Sequence, residues 1–254
     1  MYRFVSGALY PLYAASVLAR APRLWRYVLI PMLVNLLVGA TLYAGLLFAG
    51  LSAIDGLVAG LPDWAALLGA LLRVLLIVGL LIATGFVLVR FGVVLGSPWY
   101  TQLSAELELL RGGQPLPEQS GGLSAALQDL GRALAFELRK LLLVVAIGTL
   151  LLLLNLIPVA GQVLATAGWI ALGATITCLD FFDYPLERRR LSFRAKLGVI
   201  RRSLPTSAGF GLVCLALVSI PFVNLLSIPL CVAAGTLFYC DRIDLALTNR
   251  NDGL

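Results

Sequence analysis

Three stretches of this chain carry no charged side chain: 28 residues from Tyr27 to Ile54, 39 from Leu141 to Leu179, and 38 from Ser203 to Cys240. A fourth, Trp64 to Gly96, is interrupted only by Arg73 and Arg90. A soluble domain has about 25% charged residues. Here 13% of 254 residues are charged, 60% are hydrophobic, and mean hydropathy is +0.97. That leaves too little polar surface to cover a water-soluble globule, and the same numbers exclude disorder. The chain therefore reads as an all-α integral membrane protein forming a single membrane domain. In hydrocarbon, backbone polar groups must be satisfied within a helix or a closed barrel, and long unbroken apolar runs are the helical signature.

At about 1.5 Å per residue, the first run exceeds the roughly 30 Å hydrocarbon thickness and predicts one full transmembrane helix over 27–54. The Gly-containing turn 55–63 leads to a second full span over 64–96. Arg73 in it either snorkels or faces a partner, whereas Arg90 lies near the far interface, where snorkelling suffices. Ser97-Pro98 is expected to end this span. Two amphipathic cytoplasmic helices follow within 97–140, separated by the linker Gly112 to Gly122. In the first, Trp99, Leu103, Leu107 and Leu110 form the apolar side, with Glu106 and Glu108 on the polar side. In the second, Leu127, Leu130, Leu134 and Leu138 form the apolar stripe.

The 39- and 38-residue runs are too long for one span and each has a polar, proline-bearing centre. Asn155, Pro158 and Gln162 mark the first; Pro221, Asn224 and Pro229 mark the second. They predict two helical hairpins, 141–179 and 203–240. The arm Leu141 to Ile157 has 17 residues, roughly 25 Å. Such short arms barely cross or are hemi-penetrating, which would leave Asn155 and Gln162 inside the membrane and in need of cover from a partner subunit. The hairpins echo each other: Ile157-Pro158 leads to Gly173, Cys178 and Asp180, and Ile220-Pro221 to Gly235, Cys240 and Asp241. A degenerate repeat is a common plan in transporters.

Residues 1–26 predict an interfacial N-terminal helix rather than a signal peptide, because the apolar stretch Phe4 to Ala19 holds Pro11 and lacks a good cleavage site. Residues 241–254 form a polar tail. Arg3, Arg20, Arg23 and Arg26 precede the first span, and seven Arg and Lys residues lie between Arg188 and Arg202. The 55–63 turn has none. The positive-inside rule then puts both termini in the cytoplasm. The net charge of +6 reports this orientation rather than nucleic-acid binding. The four cysteines, Cys178, Cys214, Cys231 and Cys240, sit in or beside apolar stretches and read as packing residues.

No enzyme motif is present, and the absence of histidine removes imidazole chemistry. No cofactor or metal is expected. Asp180-Phe-Phe-Asp183, with Glu187 and Arg188 to Arg190 behind it, has the spacing of a Mg²⁺-diphosphate site, but it also reads as a charged collar where a helix leaves the membrane. The segment Pro22-Arg23-Leu24-Trp25-Arg26 is the candidate substrate site. Pro22 suits a helix start, whose free N–H groups and two arginines three residues apart would hold an oxyanion. The plainer reading is interfacial anchoring.

Several of these pieces resemble the CysZ-type sulfate transporters, within the broader etoposide-induced-protein superfamily. They are Arg26-Tyr-Val-Leu-Ile-Pro-Met-Leu-Val-Asn35, Leu61-Pro-Asp-Trp64, Ser97-Pro98, Leu156-Ile-Pro-Val-Ala-Gly-Gln162, Leu179-Asp-Phe-Phe-Asp-Tyr-Pro185, and Ile220-Pro-Phe-Val-Asn-Leu-Leu226 through Cys240-Asp241. The resemblance implies channel-like sulfate uptake across the inner membrane for cysteine synthesis. It also implies two full spans plus hemi-penetrating hairpins, and homo-oligomers built from dimers. The family's sulfate site is a Pro-Gly-(Ile/Leu)-Arg-Arg pattern at the start of the first span. Pro22, Leu24 and Arg26 match it; Arg23 stands at the glycine and Trp25 at the first arginine. Two rivals to transport are a non-transporting scaffold of the same fold and an intramembrane enzyme acting on a diphosphate lipid at Asp180 and Asp183.

Overall fold

The computed structural model describes residues 2–59, 62, 66–112, 123–220 and 223–244, with the backbone alone for 88–94, 123–130 and 244. Parts of the 55–63 turn, Trp64, most of the Gly112 to Gly122 linker, Pro221 and the end of the tail lie outside the described residues. So do the side chains of Arg90, Leu127 and Leu130. Among the described residues all regular structure is helical. Two short helices, α1 (Tyr2–Ala8) and α2 (Tyr10–Arg20), lead through a 3-10 turn (Pro22–Leu24) into α3 (Trp25–Val58). Then come α4 (Ala66–Leu110), α5 (Leu123–Leu154), α6 (Ala160–Arg188), α7 (Phe193–Arg202), α8 (Thr206–Ser219) and α9 (Val223–Phe238), closed by a π-helical turn (Tyr239–Asp244).

Among the described residues, four helical stretches are long and apolar enough to cross a membrane: Pro22–Val58, Ala66–Val87, Ala160–Arg188 and Val223–Ile243. The pair α7 and α8, bent by 106°, adds a fifth if taken as one broken span. α3 and α4 pack as an antiparallel pair, and most of their apolar surface faces outward. Arg73 does face a partner: it donates to Asp55 of α3 at 2.7 Å.

Three expectations are corrected. Ser97-Pro98 does not break the helix: α4 runs 45 residues through Pro98, while its stretch apolar enough to cross a membrane is Ala66–Val87. Thr101 donates its hydroxyl to the Ser97 carbonyl at 3.0 Å. Likewise α5 joins the second amphipathic stretch to the first hairpin arm, and α6 continues past Leu179 to Arg188. A charge does not stop a helix whose backbone bonds are already made; it only needs a partner for its side chain. The third correction concerns faces. Glu108 is buried beside Tyr100, Leu103, Ser104 and Leu107, whereas Leu110 is exposed. On α5, Leu134 and Leu138 point outward, while Phe136 and Leu143 pack on the core.

The core gathers around α9, which is buried from Ser227 to Tyr239 apart from Leu230. Small residues make this possible: a Cβ at Gly235 would lie 2.6 Å from the Phe181 carbonyl oxygen of α6. Phe182 stacks on Phe210 at 4.8 Å between ring centroids, and Phe238 tilts against Phe182 and Tyr10, each at 4.9 Å. Such pairs add about 0.5–1.5 kcal/mol each beyond area burial.

α1 and α2 dock on α8 and α9 along a buried strip of Gly7, Tyr10, Pro11, Ala14 and Leu18. The α1–α8 crossing is a backbone-to-backbone contact. A Cβ at Gly7 would collide with the Thr206 carbonyl, and one at Gly209 with the carbonyl of Phe4. Gly209→Leu is therefore expected to destabilise the fold by about 1–3 kcal/mol or more and to release α1. Faster proteolysis at the N-terminus of the detergent-solubilised variant is the readout; parent-like resistance would mean the crossing has slack.

At the α7–α8 bend, Ser203 and Ser207 donate hydroxyls to carbonyls at the end of α7 (Ser203 to Val199 at 2.9 Å; Ser207 to Ile200 at 2.8 Å). These bonds satisfy groups that an uninterrupted helix would have paired.

Candidate anion site and the charged interior

The expected oxyanion residues sit where α2 gives way to α3. Ala21 leaves helical geometry (φ −121°, ψ 79°) and Pro22 opens the 3-10 turn. Leu24 is buried at 2% exposure and anchors the junction. Trp25 ties it to α2 by donating its indole N–H to the Leu18 carbonyl at 3.1 Å. Apolar anchors thus fix the backbone, and the two arginines remain at the surface. Arg26 donates to the Tyr27 hydroxyl at 2.5 Å, stacks its guanidinium 4.6 Å from that ring, and lies 3.9 Å from Glu106 of α4. Arg23 makes no hydrogen bond or ion pair among the described residues.

One element of the expected site is corrected. The helix start does not offer a row of free backbone N–H groups. Leu24 donates to the Ala21 carbonyl at 3.0 Å and Trp25 to that of Pro22, while Pro22 has no N–H. An oxyanion at this junction would meet the guanidinium groups without the Leu24 and Trp25 N–H groups.

Asp180, Asp183 and Glu187 face cations rather than one another. Lys140 of α5 donates to Asp180 at 2.6 Å and to Glu137 at 2.8 Å. Lys196 of α7, 2% exposed, donates to Asp183 and, at 2.5 Å, to Glu187. Arg132 lies 3.7 Å from Glu187. Each carboxylate has its own counter-charge, and no trio of acidic or thiol groups among the described residues is disposed to hold a metal ion. The acidic motif thus clamps α5 and α7 onto α6. Burial works against the Lys140 ammonium, but Asp180 and then Glu137 outweigh it and hold it above its ordinary value. A raised lysine contributes stability fully below its unfolded range, and that stability is lost only as pH climbs through the folded value. Alkaline titration should therefore weaken the α5–α6 contact as Lys140 loses its proton, and Lys140→Met should abolish that alkaline step in thermal unfolding.

A buried polar centre was not legible in the sequence. Glu108 of α4 accepts from Arg188 at 2.6 Å and from Arg189 at 3.2 Å. Arg188 also donates to Ser104 at 2.7 Å, and Thr236 of α9 donates to Ser104 at 2.8 Å. Arg189 stacks on Tyr239, 4.4 Å from the ring centroid. Nearby, Arg111 pairs with Asp241 at 3.2 Å and with the Tyr13 hydroxyl. Burial raises the Tyr10 phenol in this region, despite a hydrogen bond with Arg242. Arginines 188 and 189 look in the sequence like part of a solvated basic run. Only the fold shows that they turn inward to α4.

Apolar helices of spanning length, tied together at one end by ion pairs between α3, α4, α6 and the turn after α9, define a multi-pass helical membrane protein. Residues 10–229 match the family described as sulfate transporter CysZ/etoposide-induced protein 2.4, and the chain belongs to that family. It is 31% identical over 221 residues to a sulfate transporter CysZ of Vibrio cholerae, covering 86% of this chain and 87% of the relative. A sulfate transporter CysZ of Pseudomonas fluorescens is 32% identical over 227 residues, covering 87% and 88%. One from Pectobacterium atrosepticum is 29% identical over 232 residues, covering 91% and 83%.

Proposed function

We propose that this chain carries sulfate or a related oxyanion across the inner (plasma) membrane, in a channel-like manner, to supply cysteine synthesis. The observation that carries the reading is similarity to named sulfate transporters over 86% of the chain, joined to two solvent-facing arginines at the start of the first span. Pro22, Leu24 and Trp25 hold the junction; Arg23 and Arg26 supply the charge. Purified protein in proteoliposomes should take up labelled sulfate. A scaffold of the same fold gives none, so zero flux through correctly inserted protein would overturn the reading.

Both termini lie in the cytoplasm, and α3 and α4 cross fully. The α5–α6 and α8–α9 hairpins enter from the cytoplasmic side and return to it. By length alone α6 and α9 could also cross, but a hairpin turn goes no deeper than its shorter arm allows. The apolar part of α5, Leu141–Leu154, and all of α8 each have 14 residues, about 21 Å against a core of roughly 30 Å. The turn residues Asn155 and Gln162 are exposed on the single chain. At that depth they need cover from a second copy, which supports a homo-oligomer built from dimers. A functional monomer in mild detergent would count against this. In a Cys240→Ser background, a cysteine placed at Gly56 should react with an impermeant thiol reagent from outside intact cells, and one at Ser192 should not. Outside labelling of Ser192 would reverse the orientation.

A further inference from the structure

Two adjoining cavities lie between α5, the loop after α6, and α7, and nothing above uses them. One, about 450 Å³, is walled by Arg132, Phe136, Arg139, Glu187, Arg190 and Lys196, among others. The next, about 600 Å³, is walled by Arg139, Leu142, Leu143, Ser192, Phe193 and Arg194. They share Arg139, Ser192 and Phe193. Among the described residues Glu187 is the sole carboxylate on these walls, and it is held by Lys196 and Arg132. Arg139 and Arg194, by contrast, make no hydrogen bond or ion pair among the described residues.

The place of this groove on α5 is as telling as its charge. Arg139 and Lys140 are the last cations before the apolar run from Leu141 to Leu154. The groove therefore crosses the boundary between polar and apolar surface, with guanidinium groups on one side and Leu142 and Leu143 on the other. A small inorganic anion would use only the charged half. A ligand with an anionic head and an apolar body uses both, and basic pockets beside membrane helices on the cytoplasmic side are suited to such heads. We infer that this groove binds the phosphate headgroup of an anionic phospholipid, held by Arg139 and Arg194, with its acyl chains lying along the leucine face of α5. The inference rests on α5 entering the membrane at Leu141, as proposed above, but not on transport.

The test uses the full chain in detergent, with phosphatidylglycerol and phosphatidylcholine titrated in turn and bound lipid counted by native mass spectrometry. Two arginines near a headgroup correspond to a change of about 30-fold in affinity. The parent should prefer phosphatidylglycerol, and Arg139→Ala/Arg194→Ala should bind it about 30-fold more weakly. Arg139→Gln/Arg194→Gln, which keeps most of the packing, should show the same loss. Arg201→Ala/Arg202→Ala removes equal charge from the far end of α7 and should bind as the parent does. Parent-like binding by both site variants would overturn the inference. So would an equal loss in the far-end control, which means diffuse charge, or displacement of lipid by inorganic phosphate at similar concentration, which means a free-anion site. Sulfate flux is scored separately, so lipid binding without flux fails only the transport reading, and flux without lipid preference fails only this one.

Discussion

Arg26→Ala is expected to weaken sulfate binding by roughly 10- to 100-fold, since one hydrogen bond to a charged group is worth roughly 1.5–3 kcal/mol and a decade of affinity about 1.4 kcal/mol. The backbone donors of Leu24 and Trp25 are already used, so neither replaces a lost guanidinium. Arg26→Lys should recover only part, because a point charge lacks the planar fork that matches an oxyanion. Arg23→Ala should also weaken binding, with Arg23 standing in for the family's first arginine. Glu106, 3.9 Å from Arg26, competes with the anion. Glu106→Gln should tighten binding by no more than about fivefold, the Coulomb value for unit charges at 4 Å in water being about 1 kcal/mol. Arg202→Ala is the control. Isothermal titration on folded protein decides the matter: if Arg26→Ala and Arg23→Ala both bind sulfate like the parent, the two residues are membrane anchors and the site is elsewhere.

The second large effect is on stability. Glu108→Ala removes the one carboxylate shared by Arg188 and Arg189, whose side chains are 18% and 25% exposed. Breaking a buried pair by deleting one partner costs about 3–5 kcal/mol, because the remaining charge stays desolvated. Here one deletion removes the counter-charge that Arg188 and Arg189 share, although Arg188 keeps its bond to Ser104 and Arg189 its bond to the Pro185 carbonyl. Glu108→Gln keeps acceptor oxygen for Arg188 and should cost less. Thermal unfolding in detergent checks the order: parent above Glu108→Gln, and Glu108→Ala lowest. An unchanged midpoint for Glu108→Ala would show that water reaches these guanidiniums.

The two largest effects also differ in how legible they were. Arg26 follows from local information: a proline, two arginines and the start of a charge-free run lie within six residues. The first span, its antiparallel neighbour and the turn at Asn155 were legible in the same way, because desolvation of a charge is felt residue by residue along the chain; Pro221 lies outside the described residues, and Asn224 and Pro229 lie within α9. Glu108 was misread because its counter-ions lie 80 and 81 positions away. Helical spacing placed it on a polar face, and only tertiary contact makes burial tolerable. Pro98 and Asp180 do not end their helices: α4 runs to Leu110 and α6 to Arg188, where Lys140 and Lys196 pair with the carboxylates of α6.

The backbone contact between α1 and α8 sets an order on biosynthesis. Gly7 lodges against Thr206, about 200 residues later in translation. At roughly 5–20 residues per second, the ribosome needs on the order of 10–40 s to make the surface on which the first helix will rest. Through that interval the opening segment, apolar and broken by Pro11, has no protein to dock on. The N-terminal helices therefore join the packed fold only once α8 and α9 have been made.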